Sequence, residues 1–354
     1  MNDPIVSVIS NVDLKKVIED MFLVLTDKER EVVTRRFSLN NKPKQTLEKI
    51  GKHFNVTRER IRQIENIALL KLRRHISNSQ LRHVNKAAKE ILEKSGGLMK
   101  ESDLIAATLN KIGKSSALDG SIIKLSLAID ENLGKNERSG TLEPAWRFDA
   151  ISIYNIKSIN DNAYKILKSK SVVVKFIDLY KQIQKLDLFH DKQPTSELIK
   201  SCINIDKRIK EVKDGWGLME WRTINPRSIR DKAIISLRKA NTPLHFVDIA
   251  NKVVEIGLTK KVVTTQAVHN ELIRYPEFVL VGRGLYALKE WGYKPGTVSD
   301  VIAEILKEKG PLSKKEIIRE VQKQREVQIG TISLNLQKNP HFERVGRAVY
   351  DYAA

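Results

Sequence analysis

The stretch TLEKIGKHFNVTRERIRQIENIALLKLRR, Thr46 to Arg74, decides how this chain is read. Thr46 suits an N-cap, with Lys49 standing where a capping box would place an acid. Leu47, Ile50 and Phe54 then share one side of a first helix, the spacing of a packed amphipathic face. Gly51 lets a second helix cross closely, Val56 plugs the turn, and the Thr57 hydroxyl caps the second helix on the N–H of Arg60. Ile61, Ile64, Ala68 and Leu72 follow at steps of three, four and four, which turns them toward a core. Two helices joined by so tight a turn form a helix-turn-helix pattern.

The opposite face of the second helix carries Arg58, Glu59, Arg62 and Gln63 within its first two turns. A recognition helix presents its first turns to base edges in a major groove, and these residue types suit that task. Arg clamps guanine through two acceptors, Gln pairs with adenine, and Glu accepts from cytosine. From Asn41 to Ser79 ten Lys and Arg oppose three Glu, a local charge of +7. A charged helix face is by itself most often only solvated. The match of TLEKIGKHFNVTRERIRQIENIALLKLRR to a known pattern decides against that. It closely resembles region 4.2 of the primary sigma factors, whose helix-turn-helix reads the minus-35 promoter element.

Upstream, LTDKEREVVTRRFSLNNKPKQ (Leu25 to Gln45) resembles region 4.1, with its L-T-x-[RK]-E-R-E-V-[LV] start. The resemblance implies that Arg58, Glu59, Arg62 and Gln63 contact bases and that Lys52, Thr57 and Arg60 face phosphates. It implies double-stranded DNA as one partner and the beta-subunit flap of RNA polymerase as another, with no cofactor. Lys49 departs from the acid usual there and adds charge away from the reading face. A complete sigma factor also has region 2, an aromatic-rich unit that captures unstacked bases. Stacking platforms of that kind need aromatic side chains. Here aromatics make up 6% of the chain, and Trp146, Trp216, Trp221 and Trp291 fall in or beside short strands. The expectation is a protein that binds a promoter-like duplex without melting it.

Composition agrees with a polyanionic partner. Across 354 residues, 63 Lys and Arg oppose 43 acids for a formal charge of +20, which favours nucleic acid. Cys202 is the single cysteine, so no internal disulfide and no thiolate metal cluster is expected. No His-x-x-x-His pair occurs, and no metal site is expected. The opening MNDPIVSVISNVDLKK carries an early acid and lacks a long apolar core, so it does not read as a signal peptide. No long apolar run is present, and the expectation is a soluble protein of the bacterial cytoplasm, without membrane contact and associated with the nucleoid.

A repeat lies behind the first motif. ILEKSGGLMKESDLI from Ile91, ILKSKSVVVKFIDL from Ile166, SLRKANTPLHFVDIA from Ser236 and ILKEKGPLSKKEII from Ile305 align on Leu92, Leu167, Leu237 and Leu306. Each is the end of a helix, a polar break and a second amphipathic helix. The copies close on short alternating strands: EPAWRF (143–148), GWGLMEW (215–221), GRGLYALKEW (282–291) and the segment from Gly346 to Tyr352. Helices closed by a hairpin in so short a span form a winged-helix pattern, with a helical solenoid as the alternative. The third copy, carried by PLHFVDIA and FVLVGRGLYAL, resembles the HARE-type helix-turn-helix domain, a family that includes the N-terminal domain of the delta subunit of Gram-positive RNA polymerase. That implies a winged-helix fold with a DNA- or polymerase-linked role and no catalysis.

The expected architecture is mainly α with small β wings: a sigma region 4-like helix-turn-helix (1–78) and a tandem array of winged-helix units at 79–150, 155–224, 225–294 (the HARE type) and 297–354. No phosphate loop, H-E-x-x-H or G-x-S-x-G occurs. DKQPTSE (191–197) mixes acids and lysine but reads as a loop, and His245 and His341 lack paired ligands or nucleophiles. The expected activity is therefore sequence-specific DNA binding in transcription regulation and not catalysis. The alternatives are a polymerase-associated adaptor, and the DNA-recognition component of a restriction or defence system, since HARE-type units also occur fused to such enzymes.

Overall fold

In a computed structural model the protein is described over residues 13–186, 193–256 and 263–353. It is 59% helical with small antiparallel sheets, the mainly α class expected. The chain divides into two compact units, residues 1–220 and 221–354.

Unit 1 opens with four helices, α1 (Leu14–Met21), α2 (Asp27–Phe37), α3 (Leu47–Phe54) and α4 (Arg58–His75). Thr26 and Glu29 form a capping box that starts α2. Asn55, at φ 54°, ends α3 in the left-handed conformation that asparagine tolerates. Ile50, Ile61 and Ile64 are buried with Val32 in a small core, and Leu47, Phe54 and Val56 pack around it. A larger core begins on the other side. Leu14, Ile18, Met21 and Phe22 join Val33, Ala68 and Leu72.

That larger core continues without a break into the first repeat. The repeat consists of α5 (Leu81–Lys94), β1 (Leu98–Lys100), α6 (Glu101–Ile112), α7 (Ala117–Ala128), β2 (Leu133–Asn136) and β3 (Ala145–Phe148). Leu81, Val84, Leu92, Ile123, Leu125, Leu127 and Trp146 belong to the same cluster as Ala68 and Leu72. Position 78 thus falls in a short turn between helices and not at a break between cores.

The second repeat has α8 (Ile153–Lys170), α9 (Phe176–Gln184), α10 (Ser196–Ile205) and the hairpin β4 (Ile209–Val212) and β5 (Gly215–Leu218). Where the first repeat has β1, this one has a single bridge, Val174 to Trp216. Gly215, at φ 144°, sits so close to the Val174 carbonyl that no side chain fits. The first two repeats are stitched together largely by backbone. Glu143 N–H donates to Ile205 O at 2.8 Å, Lys207 N–H donates to Thr141 O at 2.8 Å, and Ser201 Oγ donates to Ser95 O at 2.8 Å.

Unit 2 holds the third and fourth repeats. The third comprises α11 (Ile229–Ala240), β6 (Leu244–His245), α12 (Phe246–Glu255), α13 (Thr265–Arg274), β7 (Phe278–Gly282) and β8 (Leu285–Leu288). The fourth comprises α14 (Val298–Lys309), β9 (Leu312–Ser313), α15 (Lys314–Gln324), α16 (Ile329–Lys338), β10 (Phe342–Gly346) and β11 (Val349–Tyr352). In the three repeats with a three-stranded sheet the last strand lies in the centre, with the orders β1-β3-β2, β6-β8-β7 and β9-β11-β10.

The four anchor leucines occupy equivalent places. Leu92, Leu167, Leu237 and Leu306 are all buried. Each also offers its carbonyl to the N–H that closes its helix: Gly97 at 2.7 Å, Ser171 at 3.0 Å, Asn241 at 2.9 Å and Gly310 at 2.9 Å. One residue type thus serves the core and the turn, which is why the repeat is visible in sequence at all.

Candidate nucleic-acid interface

The reading surface is built from the α3–α4 turn outward. Val56 N–H donates to Gly51 O at 2.9 Å, and a Cβ on Gly51 would stand 2.6 Å from Val56 O. Only glycine allows the two helices to approach this closely. Thr57 Oγ1 accepts from the Arg60 N–H at 3.2 Å, which fixes the start of α4 and leaves the hydroxyl proton free to donate outward.

Ion pairs then fix the orientation of α4. Arg36 on α2 grips Glu65 on α4 through Nε, at 3.0 and 3.1 Å to the two carboxylate oxygens, and its Nη1 donates to Gln45 O at 3.1 Å. Lys71 on α4 reaches back to Glu29 on α2 at 2.8 and 2.9 Å. Burial alone would raise the Glu29 carboxyl, but the Lys71 ammonium and the Thr26 N–H and hydroxyl outweigh it and hold the carboxyl below its ordinary range.

With the inner face fixed, the outer one is solvent-exposed. Arg58, Glu59, Arg62 and Gln63 are all exposed, as are Lys52, Thr57 and Arg60. In the unbound protein these side chains pair among themselves. Arg62 holds Glu59 through three contacts of 2.6, 2.9 and 3.1 Å. The hydrogen bonds from Arg62 draw the Glu59 carboxyl below its usual range and raise the guanidinium in turn. Arg60 Nη1 donates to Gln63 Oε1 at 3.1 Å, and Lys52 pairs with Glu48 at 3.1 Å. All are one helical turn apart and open to water, so a polyanion competes with them at little cost.

Residues 22–74 match the family model Sigma-70, region 4. This segment is a DNA-binding helix-turn-helix. The match contains Lys52, Thr57, Arg58, Glu59, Arg60, Arg62 and Gln63, and it ends before the first repeat begins.

Sequence reasoning missed several residues of this surface. Asn66 is exposed and lies one turn beyond Arg62 on the same side of α4, a continuation that the four-residue spacing already signals. Glu65 and Arg36, 29 positions apart, carry no such signal. Elsewhere, Asp191 and Lys192 of DKQPTSE lie outside the described residues, and Thr195 within it caps α10 by accepting from Leu198 N–H at 3.2 Å. His245 caps α12 through Nδ1, His341 stacks on Tyr352, and Cys202 is buried, which pushes its thiol far above the ordinary range. No helix among the described residues is long and apolar enough to cross a membrane.

Proposed function

We propose that the chain is a sequence-specific transcription regulator that binds a minus-35-type element through α4, associates with RNA polymerase and does not melt DNA. The observation that carries this reading is the outer face of α4. Its first turns hold Arg58, Glu59, Arg62 and Gln63 in solvent, on a helix clamped from behind by Arg36 and Glu29 of α2, within the sigma region 4 segment. In this reading the four repeats are winged-helix units, the third of the HARE type, and the work of the molecule is binding and not catalysis. Phosphate neutralisation supplies much of the affinity, which falls steeply with salt. Linkage of several modest modules raises the affinity of the whole. The test is binding to minus-35-like duplexes at two salt concentrations, with Arg58→Ala and Gln63→Ala variants. Salt-sensitive binding that keeps its strength and sequence preference in both variants would remove α4 from the reading role.

One observation favours a protein partner for the same domain. Leu23, Ile67 and Leu70 are 80%, 44% and 53% exposed, large apolar side chains open to a partner, with Ile67 and Leu70 one turn apart on α4. Retention of the protein on core RNA polymerase after nuclease treatment supports an adaptor role alongside DNA reading, and release by nuclease counts against it.

A further inference from the structure

The four repeats use their third helices differently. In the first repeat α7 is consumed by packing: Gly120, Ile122, Ile123, Leu125, Ser126 and Leu127 are all buried. In the second, α10 buries Ile199, Cys202, Ile203 and Ile205, while the backbone of its Leu198 is pressed against Gly96 of the first repeat. α7 therefore has no outer face to offer, and what α10 leaves exposed is an acid, Glu197, beside Lys200, which itself pairs with Glu211 at 3.9 Å. Unit 2 is different. On α13 only Val268 and Leu272 are buried, and Gln266, Asn270, Ile273 and Arg274 fall at steps of four, three and one, making one exposed face. Thr264 and Thr265 extend it at the N-terminal end. That face carries no carboxylate among the described residues. The fourth repeat's α16 instead exposes Ile329 and Leu334.

The amides on α13 are prearranged. Gln266 Nε2 donates to Asn270 Oδ1 at 2.9 Å, so the two lie side by side one turn apart. The hairpin turn that carries an exposed cation is tied to α13 through a stack of rings. Arg283 is exposed at the β7–β8 turn, where Gly284, at φ 72°, lies close to the His245 ring. His245 packs on Phe246 with centroids 4.5 Å apart, and Phe246 stacks on His269 of α13 at 4.4 Å. The ring chain connects the hairpin turn to the middle of α13. Amide side chains pair with adenine in a major groove, and an arginine on a neighbouring projection neutralises phosphate. From residues 225 to 294 the charge is +6, twelve Lys and Arg against six acids.

We propose that α13 is a second base-reading helix, with Gln266 and Asn270 as its readers and Arg283 as its phosphate contact, so that the protein recognises two sequence elements in double-stranded DNA and not one. This rests on the reading of α4 only in that α4 supplies the other element. The first two repeats then act as scaffold, because α7 is spent inside the protein and the exposed face of α10 sets the Glu197 carboxylate against a phosphate backbone.

The experiment is unbiased selection of duplexes bound by the full chain, repeated with Gln266→Ala/Asn270→Ala and with Arg62→Ala/Gln63→Ala. The expected result is two enriched elements, one lost in each double variant, with the affected element weakened roughly tenfold or more. Substitution of exposed side chains leaves the unfolding midpoint unchanged, which serves as the folding control. Arg283→Ala weakens all duplexes alike and lowers the salt slope by about one. Enrichment of a single element, or of two that both survive Gln266→Ala/Asn270→Ala, overturns the proposal. An unchanged salt slope in Arg283→Ala removes the wing from it. If two elements are enriched and the α13 variant erases one while the α4 variant erases neither, α13 stands as a reader and the α4 reading fails.

Discussion

Gly96 and Leu198 meet backbone to backbone: a Cβ on Gly96 would overlap the Leu198 nitrogen, and Gly96 itself holds φ 75°, a conformation that other residues resist. The contact joins the loop after α5 to the start of α10 and brings the first two repeats together at a point where only glycine fits. Gly96→Ala therefore costs about 2–3 kcal/mol, from strain and from forced separation of the seam. Urea unfolding checks this, and a midpoint within error of the parent would contradict it.

Arg325 is buried, and its guanidinium donates to three backbone carbonyls, those of Leu280, of Lys294 at 2.8 Å and of Gly296 at 2.7 Å. The next residue, Glu326, donates its N–H to Val281 O at 2.9 Å, so the end of α15 pairs with the edge of β7. Burial lowers the guanidinium from its ordinary range, and Asp300 works against that shift. Arg325→Ala leaves carbonyls without donors and is expected to cost about 2–4 kcal/mol. Arg325→Lys recovers only part, because an ammonium cannot reproduce the planar fork. Differential scanning calorimetry of the full chain should show the loss, and equal melting of all three proteins would rule it out.

Glu29 gives the helix-turn-helix an acid limb. Its carboxyl is depressed in the folded protein, so its contribution is complete above the unfolded carboxylate range and is lost as the pH falls through the lower folded value. Stability should decline on that acid side, and Glu29→Gln should flatten the decline while lowering stability at neutral pH. Denaturant titrations at several pH values measure both, and parallel pH profiles for parent and variant would refute the assignment.

Glu59 restrains Arg62 in the unbound protein and is the one acid among the α4 readers. Glu59→Gln should tighten binding to random duplex by a few-fold at low salt, since a carboxylate no longer repels phosphate. It should also reduce discrimination at the position where the acid accepts from cytosine. Competition between random and selected duplexes reports the two effects separately, and a variant that keeps full discrimination would show that Glu59 reads no base.

Much of this was legible in the sequence, for local reasons. The steps between Ile61, Ile64, Ala68 and Leu72 place all four inside, and Thr57 caps the residue three positions on. The repeat showed through because its leucines serve core and turn together. What escaped was decided by partners distant in the chain. Nothing in QKQREVQ marks Arg325 for burial, since its acceptors lie 29, 31 and 45 positions away. The fate of α7 was half visible: ALDGSIIKLSLA is apolar around much of its circumference, which signals a helix covered on several sides but not by what.

The continuous core around Ala68 and Leu72 sets the size of the piece that can be moved between proteins. A graft or truncation limited to residues 22–74 would carry the reading face of α4 away from Leu81, Leu125, Leu127 and Trp146, and would open Ala68 and Leu72 to water. The transplantable reader runs from Leu14 through Phe148, so the first repeat travels with the helix-turn-helix as its foundation.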